Sequence, residues 1–203
     1  MKKIKVIGIT GQTGAGKTSA CDTIRQMGYP VIDADKIARE VVSEGQQCLA
    51  DLALEFSIII LNADGTLNRP KLGSIVFNNP EKLIRLNQIT FPYITHEITG
   101  RIEELEQEGV HKLVVLDAPT LFESGCSRFC DAVISIIAPE TVRLNRIVIR
   151  DRLTDDQARA RVTAQQPDSY YISRSNFVIV NDKGPEDLKE RIIKIFTSIG
   201  SIL

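Results

Sequence analysis

The 203-residue sequence predicts an α/β protein: a five-stranded parallel sheet with helices on both faces, interrupted by one helical stretch. Three observations predict it. Short apolar runs at Val6–Thr10, Tyr29–Ile32, Leu113–Leu116, Asp131–Ile137 and Phe177–Val180 read as buried strands. Helical periodicity separates these runs, as crossovers between parallel strands require. The interval from Gln46 to Gly109 is mostly helical in pattern and too long for a single crossover, so it reads as an insertion.

The first strand runs into Gly11-Gln12-Thr13-Gly14-Ala15-Gly16-Lys17-Thr18, which matches the phosphate-loop pattern G-x-x-x-x-G-K-[ST] in full. Gly11, Gly14 and Gly16 permit torsions and close approaches that a Cβ would block. Successive backbone N–H groups then turn inward as an anion nest. The helix that begins near Lys17 adds the positive end of its dipole. Lys17 brings a full charge to the outer phosphates, and the Thr18 hydroxyl can ligate Mg²⁺. The alternative is an ordinary glycine-rich strand-to-helix turn; nucleoside triphosphate binding is the reading we follow.

Beyond the loop, Ala20, Ile24 and Met27 share a helical face, and Gly28 ends that helix in a left-handed cap. The second strand leads to Asp33-Ala34-Asp35. Asp35 is expected to cap a helix with Ile37, Ala38, Val41 and Val42 on its apolar face and Gly45 as its stop. Inside the insertion, Leu49, Leu52, Ala53 and Phe56 form one stripe. Ser57–Leu61 reads as a brief β-like run and Ala63-Asp64-Gly65-Thr66 as a turn. Pro70 sits near one helix start and Asn79-Pro80-Glu81 begins another, with a separate longer helix expected after Pro92 and ending at Gly109. The core resumes at Lys112. Leu113-Val114-Val115-Leu116 ends in Asp117, the form of a Walker B strand whose acid faces the metal side. Pro139-Glu140 opens a helix through Arg143, Arg146 and Arg150, and Thr154-Asp155-Asp156-Gln157 is a capping box for the next. After the last strand come Asn181-Asp182, then a helix from Pro185 with Leu188, Ile192, Ile195, Phe196 and Ile199 inside. The phosphate loop, Asp33 with Asp35, Asp117 and Asn181 all fall at carboxyl ends of strands, where ligands of such sheets bind.

The expected organisation is a nucleotide-binding core over 1–35, 110–138 and 174–203, a helical acceptor-binding insertion over 36–109, and an arginine-bearing helical lid over 139–173. A net charge of −1 argues against a dedicated nucleic-acid binder. Cys21, Cys48, Cys126 and Cys130 contain no C-x-x-C pair and read as reduced core thiols of a cytoplasmic protein. Met1-Lys2-Lys3 resembles the start of a signal segment, but the apolar run after it breaks at Gly8. No run approaches transmembrane length.

A phosphate loop alone does not separate a kinase from a GTPase, a motor or a nucleotide switch. No Asn-Lys-x-Asp element for guanine is present. Asp33 and Asp35 are two apart and face one side while extended, where a carboxylate can take the proton of an attacking hydroxyl. The plainer alternative is a helix cap at Asp35 and a surface Asp33. Arginines stand at 143, 146, 150, 152, 159 and 161, with Arg146 and Arg150 one helical turn apart. Arginines suit the charge on a transferring phosphoryl group; a solvated basic helix is the alternative. A small-molecule kinase must also exclude water, which a mobile lid does. The combination suggests the architecture of the nucleoside-monophosphate kinases.

The chain resembles the dephospho-coenzyme A kinase family over nearly its whole length. The matching segments are Ile9–Thr18, Gly28–Val42, Asp64–Leu83, Asp117–Gly125, Pro139–Thr154 with Gln165 after it, and Phe177–Asp182. The Asp33-Ala34-Asp35-x-x-Ala38-Arg39 run and the Pro119-x-Leu121-Phe122-Glu123 run are the particular ones. The resemblance implies ATP-dependent phosphorylation of the ribose 3′-hydroxyl of dephospho-coenzyme A, with ATP and Mg²⁺, by a monomer or small homo-oligomer. It also implies roles. Gly14, Ala15, Gly16, Lys17, Thr18 and Ser19 hold the ATP phosphates; Asp35, then Asp33, is the general base; Arg39 and Arg69 lie on the acceptor side. Arg146 and Arg150 are lid arginines, Asn181 falls near adenine, and Thr18 with Asp117 serves the metal. Departures are Phe91 where the family commonly has His, with His96 close by, Gln12-Thr13 where Gly-Ile is common, and Tyr171 where Lys is often seen. The Gln12 and Thr13 side chains are expected to point away from phosphate with little effect.

Overall fold

The computed structural model describes residues 3–77 and 79–202. Met1 and Lys2 of the signal-like start, Asn78 of the matching segment, and the expected domain limits 1 and 203 lie outside the described residues. From the start the elements are β1 (Lys5–Gly11), α1 (Lys17–Gln26), β2 (Val31–Asp33), α2 (Ala34–Glu40), α3 (Gln47–Phe56), α4 (Arg69–Val76) and α5 (Pro80–Glu108). Then follow β3 (Leu113–Asp117), β4 (Ala132–Ile137), α6 (Glu140–Asp151), α7 (Asp155–Thr163), α8 (Asp168–Ile172), β5 (Phe177–Val180) and α9 (Pro185–Ile202). The chain divides into two compact units, Met1–Ile32 with Glu104–Leu203, and Asp33–Glu103.

The sheet has the order β2-β3-β1-β4-β5. β1 pairs in parallel with β3 on one side and β4 on the other, and β4 pairs in parallel with β5. The apolar runs are continuous because both sheet faces are covered: every residue of β3 is buried. On one face Ile7, Ile9, Val115, Ile134 and Ile136 pack with Ile24 of α1 and with Ile192 and Phe196 of α9. Each such side chain contributes about 1.5–3 kcal/mol relative to exposure. The chain leaves central β1 toward β2 on one side and later fills β4 and β5 on the other. The strand order therefore reverses sides at β1, and at the carboxyl end of such a strand these sheets open a ligand crevice. At the opposite end, the Asp131 carboxylate accepts from the Lys5 Nζ at 2.9 Å and the Val6 N–H at 2.8 Å, and so fixes where β1 begins.

The second unit has its own core of Val42, Cys48, Leu52, Phe56, Ile60, Leu72 and Val76. Three sequence expectations change here. Ser57–Leu61 is not strand-like: Ser57 turns the chain at φ 74 and Ile58–Ile60 forms one 3₁₀ turn with only Ile60 buried. The isoleucines suit a strand by propensity, but this turn puts one of the three inside. The helices on either side of Pro92 are one 29-residue helix, α5. An internal proline costs about 3 kcal/mol through the lost N–H and a steric clash. Anchors on both sides of Pro92 offset it: Arg85 Nε donates to Glu55 at 2.9 Å, and the Tyr93 hydroxyl donates to Asp51 at 2.6 Å. Finally, Asp33 rather than Asp35 caps α2, its carboxylate accepting from the Lys36 N–H at 2.9 Å. β2 ends at Asp33, so Asp35 already lies in the first helical turn and the two carboxylates do not share one extended strand.

Candidate active site

The glycine loop leaves β1 between β3 and β4 and ends at the first residue of α1. Gly16 is the residue before that helix, with φ 107 and no side-chain cap, so the first-turn N–H groups have no side-chain acceptor there. Glycine is required on space as well as torsion. A Cβ at Gly16 would stand 2.4 Å from the Asn181 amide nitrogen, and one at Gly14 (φ 78) would stand 2.9 Å from the Arg143 carbonyl. Asn181 is 3% exposed and donates to the Ala15 carbonyl at 2.7 Å. Arg146 Nη1 donates to the Gly14 carbonyl at 3.2 Å and the Ala15 carbonyl at 3.4 Å. With the Gly14 and Ala15 carbonyls held from outside, the N–H groups from Gly16 into α1 are left to converge on an anion.

Lys17 pairs with Asp117, which ends β3, through a short ion pair at side-chain exposures of 17% and 10%. A partly buried pair of this kind keeps both charges where a nucleotide can exchange with one of them. The Cys21 thiol lies beside it; burial and then the Asp117 charge push its ionisation upward, so it stays a neutral thiol. Thr18 and Ser19 are exposed in the first turn of α1. The Thr18 hydroxyl and Asp117 carboxylate are hard oxygen donors, the type Mg²⁺ takes alongside substrate phosphates and water, so the residues present fit that ion.

The arginines divide. Arg143 is 6% exposed, with Nε on the Ala138 carbonyl at 3.1 Å and a buried Nη1 lacking a partner. Arg146 is half-buried against the loop as described. Arg150 is exposed and forks onto its neighbour Asp151 at 2.8 and 2.9 Å, and Arg161 of α7 reaches the same carboxylate at 2.6 Å. Two cationic partners hold the Asp151 carboxyl below the usual carboxylate range, the Arg150 hydrogen bond most of all. Arg146 and Arg150, predicted as neighbours on one helix face, thus have different partners: one the phosphate loop, the other an acid at the helix end.

In the second unit, Asp35 and Arg39 are exposed on α2, with Arg39 Nε donating to the Asp35 carbonyl at 3.1 Å. Arg69 is exposed at the start of α4, Phe91 is half-buried in α5 and His96 exposed one turn on. Sequence reasoning missed several residues. Gln12 is 2% exposed: its side chain is turned into the protein, a contact the sequence did not show. Its amide donates to Asp168 at 2.8 Å and to the Gln166 carbonyl at 3.3 Å, because Gly11 lies beside Ile136 in the sheet and the next side chain must enter the protein. Asp151 and the short helix α8 were also missed. No local pattern marks α8; for Asp151 the flanking Arg150 and Arg152 were the available hint.

The chain and its fold have counterparts. A family model described as Dephospho-CoA kinase matches residues 5–187. A protein named dephospho-CoA kinase from Geobacillus kaustophilus is 37% identical over 93% of this chain and 94% of its own length. One from Corynebacterium efficiens is 38% identical over 95% of this chain and 96% of its own. A solved structure from Thermus thermophilus superposes with a TM-score of 0.83 at 28% identity, covering 97% of this chain and 98% of that one. A dephospho-CoA kinase from Campylobacter jejuni gives 0.72 at 29% identity, covering 96% of each chain. A shikimate kinase from Bacteroides thetaiotaomicron, at 14% identity and 0.53, shares the fold alone.

Proposed function

Because the chain belongs to the dephospho-CoA kinase family, we propose that it transfers the γ-phosphoryl group of ATP to the ribose 3′-hydroxyl of dephospho-coenzyme A, giving coenzyme A and ADP. The observation that carries this reading is a complete phosphate loop at the central-strand switch point of a chain that matches the family over residues 5–187.

The loop from Gly14 to Ser19 receives the ATP phosphates through the N–H groups of Gly14 and of Gly16 to Ser19, the Ala15 N–H donating instead to the Gln12 carbonyl. Thr13 is not among them, since its N–H is already taken by the Gln165 side-chain oxygen. Lys17 exchanges Asp117 for the outer phosphates, a swap made cheap by its charge having a partner at both ends. Asn181 holds the Ala15 carbonyl and so fixes the loop beneath the nucleotide, which supports its placement near adenine. Thr18 and Asp117 would hold Mg²⁺, which when bound neutralises and orients the phosphate oxygens. Asp35 accepts the proton as the 3′-oxygen bonds to the γ-phosphorus and the bond to the β-phosphate oxygen breaks, releasing ADP. Asp33, whose carboxylate accepts from the Lys36 N–H, is the second candidate. Arg39 and Arg69 present cations to the anionic acceptor. Arg146 and Arg150 serve the transferring phosphoryl group, for which Arg150 must leave Asp151.

No helix among the described residues is long and apolar enough to cross a membrane. The four free cysteines support a cytoplasmic place of action, the net charge of −1 supports the absence of a nucleic-acid partner, and the proposal takes the protein as a monomer or small homo-oligomer. The test is an ADP-release assay with purified protein, ATP, Mg²⁺ and dephospho-coenzyme A. ADP must appear only when the acceptor is present; ADP release indifferent to the acceptor overturns the assignment.

A further inference from the structure

The phosphate loop is gripped from two directions by one stretch of chain. From α6, Arg146 holds the Gly14 and Ala15 carbonyls, and the Arg143 backbone packs on Gly14. From the segment after α7, Gln165 accepts the Thr13 N–H, while the Gln166 carbonyl and the Asp168 carboxylate accept the two protons of the Gln12 amide. The arginine-bearing helices α6 and α7 therefore begin and end on the loop. Gln12 is central to the second grip. Its backbone N–H donates to Ile136 at 3.2 Å and its carbonyl accepts from Ala15 at 3.1 Å, so its main chain closes the loop while its side chain leaves it. The side chain is 2% exposed, and its amide oxygen is buried without a partner. An orphaned buried acceptor is unfavourable by itself. The amide thus holds this place through its two donated bonds, one of them to a charged carboxylate, the stronger kind.

We propose that Gln12 is a positioning residue that locks the phosphate loop to the stem after α7, so that the loop's geometry for ATP depends on the Gln12–Asp168 bond. Without that bond the loop's first half is held by the Gln165 contact and by the main chain alone, and the N–H nest loses its register with the triphosphate. The inference deepens the kinase reading, but its primary measurement does not require the acceptor reaction.

Titration calorimetry of the whole protein with Mg·ATP, with no acceptor present, is the test. Gln12→Ala is expected to weaken ATP about tenfold, with KM for ATP following and kcat falling less than about threefold. KM for dephospho-coenzyme A should not move. Gln12→Glu sets two carboxylates together and is expected to weaken ATP more than Gln12→Ala. Asp168→Asn keeps an acceptor oxygen and stays within about twofold of the unsubstituted protein. The double variant Gln12→Glu/Asp168→Asn rebuilds the bond with donor and acceptor exchanged and should recover most of the loss. Melting temperatures, read in parallel, separate positioning from mere stability. If Gln12→Ala lowers the melting temperature but ATP binds as before, or if the double variant binds no better than Gln12→Glu, the proposal is wrong. Normal ATP binding by the unsubstituted protein with no acceptor-dependent ADP would instead count against the reaction and leave this inference standing.

Discussion

The phosphate loop and the Asp33–Arg39 segment carry their chemistry in opposite ways. In the loop the proposed working groups are backbone N–H donors, and the neighbouring side chains hold the backbone. Ala15 is fully buried and Gln12 nearly so, and bonds with Arg146, Asn181 and Gln165 converge on three consecutive residues, Thr13 to Ala15. In Asp33–Arg39 the proposed working groups are side chains at a seven-residue helix, with Asp33 accepting from the Lys36 N–H and Arg39 donating to the Asp35 carbonyl. The first design resists any added atom but is indifferent to many outward side chains. The second should accept backbone-neutral changes but fail when the Asp35 carboxylate is removed.

That contrast can be broken by substitution. The largest effect is expected for Lys17→Ala, the one loop position whose side chain itself meets phosphate. Turnover in the ADP-release assay should fall about a thousandfold or more, since a full charge is removed from a preorganised site. A loss under about tenfold would mean that the backbone nest alone suffices. Next comes Asp35→Asn, which should lower kcat about a hundredfold while ATP binding by calorimetry stays unchanged. Asp33→Asn should do little, because Asn caps a helix as well as Asp does. The reverse ranking would exchange their roles. Gly16→Ala probes the steric rule: with φ 107 and Asn181 2.4 Å from the new Cβ, the loop must shift. ATP affinity should drop about tenfold with little loss of overall stability, which a thermal melt in the absence of nucleotide checks.

How much of this was legible in the sequence follows from the same physics. The strands and the loop could be read because apolar runs and glycine spacing are local and leave few alternatives: Gly11, Gly16, Lys17 and Asp117 stand where the pattern put them. The continuity of α5 across Pro92 could not be read, because the proline's penalty is local while the bonds that offset it, Arg85 to Glu55 and Tyr93 to Asp51, reach across 30 and 42 residues. The order of Asp33 and Asp35 as caps turned on a single residue, the point where β2 stops, and boundaries are set by the fold more than by propensity. The Gln12–Asp168 bond spans 156 residues, and no periodicity reports it. The site's local half is thus visible in sequence, and the half that depends on tertiary juxtaposition is not.

The smallest expected effect lies at the other end of β1, where a second Lys–Asp pair stands far more open than the one at the loop. Lys5 and Asp131 are 43% and 38% exposed, against 17% and 10% for Lys17 and Asp117. Partial burial alone would raise the Asp131 pKa, but the bonds from Lys5 and the Val6 N–H, with the charges of Lys5 and Lys3, outweigh it and hold the carboxyl below its ordinary 3.8. With the folded pKa below the unfolded one, the unfolded chain binds more protons in the interval between them. The stabilisation is therefore complete above the ordinary carboxylate range and is lost as pH falls through the folded value. Asp131→Asn should reduce stability by less than about 1 kcal/mol near neutral pH, because solvent screens an exposed pair. The difference from the unsubstituted protein, read as denaturation midpoints, should stay constant from neutral pH down to about pH 5 and shrink below it. Turnover should not change, since Asp131 sits at the strand end away from the loop. A difference that held its size down to the lowest pH would mean that Asp131 acts through its uncharged bond to the Val6 N–H, and that charge matters to this protein at the phosphate end of β1 alone.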